Sequence, residues 1–157
     1  MSFFIKSDTL CPWSIDLKTL VRNRFDVLID FTIESIKGGV REVYVMLCDG
    51  TTYHVTSIPS DKTREVATWL KPSFKSTLED LVRRFGRVYY LHERGRDIFD
   101  VRLEDGLYVF GDHDGLSPHD EEILSRRAIW ISLGPTPYMS WQAAVYVAYL
   151  LKKLNIT

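Results

Sequence analysis

The sequence predicts an α/β fold, a mostly parallel β-sheet flanked by helices. Three observations carry this. In the second half of the chain, short apolar runs alternate with helical segments, as crossover-connected parallel strands require. Each of those runs ends in a polar or glycine-bearing segment, at 92–95, 111–115 and 132–135. The 157 residues are 45% hydrophobic and 26% charged, which suits one packed domain over 1–157.

The elements follow in order. Phe3, Phe4 and Ile5 form a short buried strand. Residues 7–24 read as loop, with one helical turn after Ser14 or Asp16. Phe25, Leu28, Ile29, Ile33 and Ile36 recur at helical spacing, and Gly38-Gly39 stops that helix. Residues 43–47 are strand-like, Asp49-Gly50 signals a tight turn, and 51–55 completes a hairpin. Ser60-Asp61 caps a helix running to about Leu70, ahead of Pro72. Ser76 and Thr77 open another, with Leu78, Leu81, Val82 and Phe85 on one face and Gly86 at its end. Residues 88–91, 107–110 and 129–131 are buried strands, and Ser117-Pro118 starts a short acidic helix. The last helix, 139–154, is apolar all round, so more than one face is buried, against the sheet and against a second subunit.

A formal net charge of -1 excludes a strongly basic, non-specific nucleic-acid binder but leaves room for a local patch. Arginine outnumbers lysine by 12 to 8, which suits phosphate and base contacts or surface ion pairs. No apolar run approaches the ~18 residues of a membrane span. Residues 1–6 have neither a basic nor a long apolar stretch, so no signal peptide is expected. Cys11 and Cys48 make no disulfide framework and no zinc spacing, and a reduced, cytoplasmic setting is the simplest fit.

Ligands of parallel sheets bind beyond the carboxyl ends of the strands. Three such ends here carry polar or glycine-bearing loops, and glycine lets a ligand approach the backbone closely. The loops match no GxGxxG, GxxxxGK[ST] or GxSxG pattern. Asp112, His113 and Asp114, with His119 and His92, are metal-ligand types and keep a metal-dependent hydrolase open as another class. Adjacent turn residues point apart, however, and the spacing fits no defined motif, so no metal is expected.

Gly111-Asp112-His113-Asp114-Gly115-Leu116, then Ser132-Leu133-Gly134-Pro135 and a final helix, resembles the C-terminal half of the SPOUT methyltransferases. Within that superfamily the chain is most similar to the archaeal tRNA pseudouridine-54 N1-methyltransferases. Residues 88–98 and the Arg24-Phe25-Asp26-Val27 segment extend the likeness over nearly the whole chain. The chain looks shortened against it between Val55 and Ser76, and two other places depart from it. Arg22-Asn23 stands where the family has Gly-Gly, and Gln142-Ala143 where its last helix has His-Cys.

The resemblance implies a SPOUT fold with a trefoil knot over about 109–154 and a methyl donor, S-adenosylmethionine (SAM), held among the three loops. It implies that backbone groups of Leu91, Gly111, Leu133 and Tyr138 hold the cofactor, with His92, Asp112, His113, Gly115, Ser132 and Gly134 around them. It implies that Asp26 orients or deprotonates the target nitrogen, although a carboxylate there also suits a helix start. Arg22 and Arg24 would hold phosphate or uracil carbonyls. The implied partners are RNA, with tRNA first, and a second copy of the chain through the last helix, with neither DNA nor membrane. Another RNA site, rRNA included, and an inactive RNA-binding homologue are the alternatives.

Overall fold

The computed structural model describes residues 1–15, 25–59, 69–112 and 115–156. In chain order its elements are β1 (Ser2–Lys6), α1 (Phe25–Lys37), β2 (Glu42–Met46), β3 (Thr51–Val55), β4 (Phe74–Lys75) and α2 (Leu78–Val82). There follow β5 (Val88–Asp97), β6 (Leu107–Gly111), α3 (Pro118–Arg127), β7 (Ile129–Ser132) and α4 (Ser140–Lys153). The strands form one sheet in the order β4-β3-β2-β1-β6-β5-β7. From β2 to β7 every pairing is parallel, and β3 and β4 add an antiparallel margin.

Alternation along the strands builds two apolar layers. Phe3, Ile5, Tyr108 and Phe110 face α1 and α4 on one side. Phe4, Leu107, Val109 and Tyr90 face α2 and α3 on the other. The two helices on the first side pack closely, because a Cβ on Gly38 would stand 3.1 Å from the Ala148 Cβ. Ala144 and Ala148 are therefore core residues of the α1–α4 contact, while Val145 and Tyr149 of the same helix are exposed.

Most expected elements form, and the exceptions have physical causes. The expected helix over 60–70 falls largely on residues 60–68, outside those described. The helical turn expected after Ser14 or Asp16 falls on residues 16–24, outside those described; before it stands a 3-10 turn over Pro12–Ser14, where proline suits the first position. The expected helix at 76 begins with Thr77 as its cap, and the hydroxyl accepts the Asp80 N–H at 3.1 Å. Residues 92–95, expected as a loop, continue β5 in extended form. Leu91 and Arg96 both register with Ile131, so one continuous segment follows β7 and folds around it. Gly95 makes this possible, since a Cβ there would lie 2.5 Å from the Ile131 nitrogen.

Cys11 and Cys48 form a single disulfide, which differs from the reduced setting expected from the sequence. Their Cα atoms lie 5.0 Å apart because the segment leaving β1 follows the end of β2, with the Cys48 N–H donating to the Leu10 carbonyl at 2.8 Å. Spacing alone does not reveal a bridge that depends on strand neighbours. No described helix is long and apolar enough to cross a membrane.

Candidate active site

The carboxyl ends of β5, β6 and β7 open on a cavity of about 330 Å³, within the usual range for ligand sites. Leu91, His92, Gly111, Asp112, Gly115, Ser132, Leu133, Gly134 and Tyr138, all singled out from the sequence, line it. His113 lies outside the described residues, as do Arg22 and Arg24. Glu93, within a loop chosen from the sequence, and Ala143, marked there as a departure from the family, line the cavity too. The sequence reading missed Tyr90 and Phe110, which flank the chosen loops, and Ser140 at the start of α4. Ser140 carried no signal beyond its place on that helix.

Local chemistry shapes the walls. Gly134 has φ +102° and Gly115 φ +74°, conformations that other residues rarely adopt. The Ser132 hydroxyl accepts the Gly134 N–H at 3.0 Å and fixes that turn. The Ser140 hydroxyl donates to the Gly111 carbonyl at 2.6 Å and ties α4 to the floor. The Asp112 carboxyl is buried at the mouth of β6.

His92 is a braced wall residue. Its Nδ1 accepts the Arg94 backbone N–H at 3.0 Å, so the proton sits on Nε2, 3.1 Å from Glu121 Oε2. The Tyr90 hydroxyl donates to the same carboxylate at 2.9 Å, and burial followed by the nearby Glu121 raises its pKa. Trp130 packs edge-on against Tyr90, with ring centroids 4.8 Å apart.

Asp26 sits half-buried in the first turn of α1, where the helix dipole favours a carboxylate. It does not line the cavity. Ala143 does, and the Gln142 side chain accepts the Met139 N–H at 3.0 Å as a cap of α4.

A second cavity, of about 340 Å³, lies beyond β1 and β2 and is lined by Lys6, Cys48, Asp49, Glu79, His119 and Asp120 among others. Lys6 Nζ lies 2.9 Å from Asp8 and 2.7 Å from Asp120. Burial disfavours the Asp8 charge, but Lys6 and the Ser117 N–H outweigh it and hold that carboxyl below its ordinary range. Deeper burial pushes Asp120 up despite Lys6. His119 lines this second cavity, whereas His92 and Asp112 line the first, and His113 and Asp114 lie outside the described residues. Among the described residues no group of three or more His, Cys, Asp or Glu is placed to hold a metal.

This fold and cleft agree with what known proteins share with the chain. The SAM-dependent RNA methyltransferase family matches residues 42–156. A tRNA (pseudouridine(54)-N(1))-methyltransferase of Pyrobaculum aerophilum is 64% identical over 136 residues, covering 85% of this chain and 99% of the relative. The chain belongs to the SAM-dependent RNA methyltransferases.

A methyltransferase of the same name from Thermococcus gammatolerans is 40% identical over 82 residues, covering 50% of this chain and 41% of that longer protein. Among solved structures, Archaeoglobus fulgidus Nep1 bound to S-adenosylhomocysteine superposes with TM-score 0.63 at 22% identity, over 90% of this chain and 76% of that one. Neisseria gonorrhoeae ribosomal RNA small subunit methyltransferase E, bound to SAM, gives 0.57 at 13% identity, over 98% and 65%. These two share the SPOUT fold. The cleft suits the family's cofactor. Leu133, Pro135 and Pro137 offer apolar walls for an adenine, the glycines expose backbone donors and acceptors, and Glu93 and Asp112 offer carboxylates to a cationic amino acid moiety.

Proposed function

We propose that this protein methylates N1 of pseudouridine 54 in tRNA, with SAM in the cleft of β5, β6 and β7. The observation that carries the reading is the cleft itself, in which nine of the sequence-chosen residues converge on one methyltransferase-family cavity. The nucleotide follows from the 64% identical relative's name. Backbone groups of Leu91, Gly111, Leu133 and Tyr138 hold the cofactor, which supplies a methyl group on a sulfonium.

The chain's own work is positioning and proton removal. In uridine, N1 carries the ribose. In pseudouridine the ribose is on carbon, so N1 carries a weakly acidic proton. Asp26 would take that proton as general base, and a bound methyl donor would supply the methyl group to N1 and leave as the thioether. Asp26 lies outside the cleft lining, in the first turn of α1. Arg22 and Arg24, four and two residues before Asp26, hold phosphate or uracil carbonyls.

The backbone over about 109–154 is knotted in this reading, supported by the wrap of β5 around β7 and the Ser140–Gly111 tie. A second copy covers the outward face of α4, where Val145 and Tyr149 are 41% and 61% exposed. Light scattering at twice the 18.2 kDa chain mass is the expected result. The protein acts in the cytoplasm with tRNA. Disulfides have precedent there among intracellular proteins of hyperthermophiles.

The test is nucleoside mass spectrometry of tRNA carrying either pseudouridine or uridine at position 54, incubated with enzyme and SAM. Methylation of the pseudouridine form alone supports the reading, and no methylation of either form sinks it. Asp26→Asn keeps shape but loses basicity, so turnover should fall by ~100-fold or more with SAM binding retained. A wild-type rate in this variant would place the base elsewhere.

A further inference from the structure

Trp13 is the exposed aromatic that the cleft does not explain. It stands 78% exposed on the Pro12–Ser14 turn, whereas Trp69, Trp130 and Trp141 are all partly buried. Indole is costly to leave in water, so an exposed tryptophan fixed in place points to a ligand.

The turn is held from several sides. The disulfide joins Cys11 to Cys48. The Ser14 hydroxyl accepts the Cys11 N–H at 3.0 Å and donates to the Cys11 carbonyl at 2.8 Å. Just upstream, Ser7 Oγ accepts the Leu10 N–H at 3.0 Å, and Leu10 is buried. Asp8 accepts the Ser117 N–H at 2.9 Å, two residues past Gly115 of the cleft wall. The platform therefore shares the carboxyl edge of the sheet with the cleft.

Its surroundings decide the kind of ligand. Cys11 and Pro12 are half-buried and Ser14 is polar. Among the described residues, no other large apolar side chain before Phe99 is exposed. A protein interface buries a central cluster of apolar residues with a packed surround. A single rigid ring instead offers one π-face, which is what an unpaired nucleobase needs.

We propose that Trp13, held outward by the Cys11–Cys48 disulfide, is a stacking platform for an unpaired base of the RNA substrate. This rests on the reading that the substrate is tRNA.

The experiment measures binding of a pseudouridine-containing tRNA to wild type, Trp13→Ala, Trp13→Phe and the double variant Cys11→Ser/Cys48→Ser. SAM affinity and oligomeric state are measured beside it. Trp13→Ala should weaken RNA binding by about 5- to 150-fold and raise KM for tRNA, with kcat, SAM affinity and assembly unchanged. Trp13→Phe should recover most of the loss, and the double variant should lose affinity with its indole intact. Wild-type RNA affinity in Trp13→Ala overturns the inference, as does a change of oligomeric state, which would assign the ring to a protein contact. Wild-type affinity in the double variant overturns the role of the disulfide. If wild type itself neither binds nor methylates tRNA, the functional reading fails and the platform fails with it.

Discussion

The two cavities on the carboxyl edge of the sheet are nearly equal in volume, about 330 and 340 Å³, yet differ in what their walls leave available. The cleft at β5, β6 and β7 is walled by glycines, prolines and apolar side chains such as Leu91, Phe110 and Leu133, with few charged groups among them. The cavity beyond β1 and β2 is walled by charges that satisfy one another. Lys6 sits between Asp8 and Asp120, and Lys75 lies 3.5 Å from Asp49. Volume thus does not mark the site. Apolar walls with glycine-exposed backbone do, and a cavity whose charges are spent on each other serves stability.

Lys6→Met separates the two most sharply. It leaves Asp8 and Asp120 facing each other without their cation, and breaking a buried pair costs about 3–5 kcal/mol. Calorimetry should show Tm lower by about 10 °C with SAM affinity unchanged. A parallel loss of SAM affinity would show that the cavities are not independent. Gly134→Val acts on the other side. A β-branched residue at φ +102° stores about 1–3 kcal/mol of strain in the cleft wall, so SAM affinity should fall about 10-fold. Unchanged affinity would remove that turn from the cofactor site.

Glu42→Gln, at the amino edge of the sheet, touches neither cavity. Burial opposes ionisation of Glu42, but hydrogen bonds from Ser2, His54 and Tyr44 outweigh it and hold its pKa down. A depressed carboxylate stabilises the fold above its ordinary range, and that contribution is lost as pH falls through the depressed value. The variant should be less stable at neutral pH by about 1 kcal/mol and flatter in its acid melting profile. An unchanged acid profile would sink the assignment.

The cleft was readable because its signals are local. Buried parallel strands such as 107–110 are continuous apolar runs, and their glycine-bearing ends are punctuation. What escaped depends on distant partners. Gly95 looked like a turn until β7 lay against it, and the disulfide follows from the neighbouring ends of β1 and β2. Lys6 finds Asp120 across 114 positions, and no pattern within one strand announces that. The two-residue β4 is too short for periodicity. Ala148 of α4 meets Gly38, just past α1, across the core, a partner that no spacing within α4 announces. Ala148→Glu should therefore unfold the chain.

The cleft takes its walls from 90–93, 110–112, Gly115 and residues between 132 and 143, segments that meet only when the second half of the chain is fully assembled. A ligand seated there binds the finished fold and not its fragments. Mass action then makes the coenzyme part of the protein's thermodynamic support. At a free concentration one hundred times its Kd, it adds about 2.7 kcal/mol to unfolding. For this protein, starvation for the methyl donor would lower resistance to heat and proteolysis along with catalytic output.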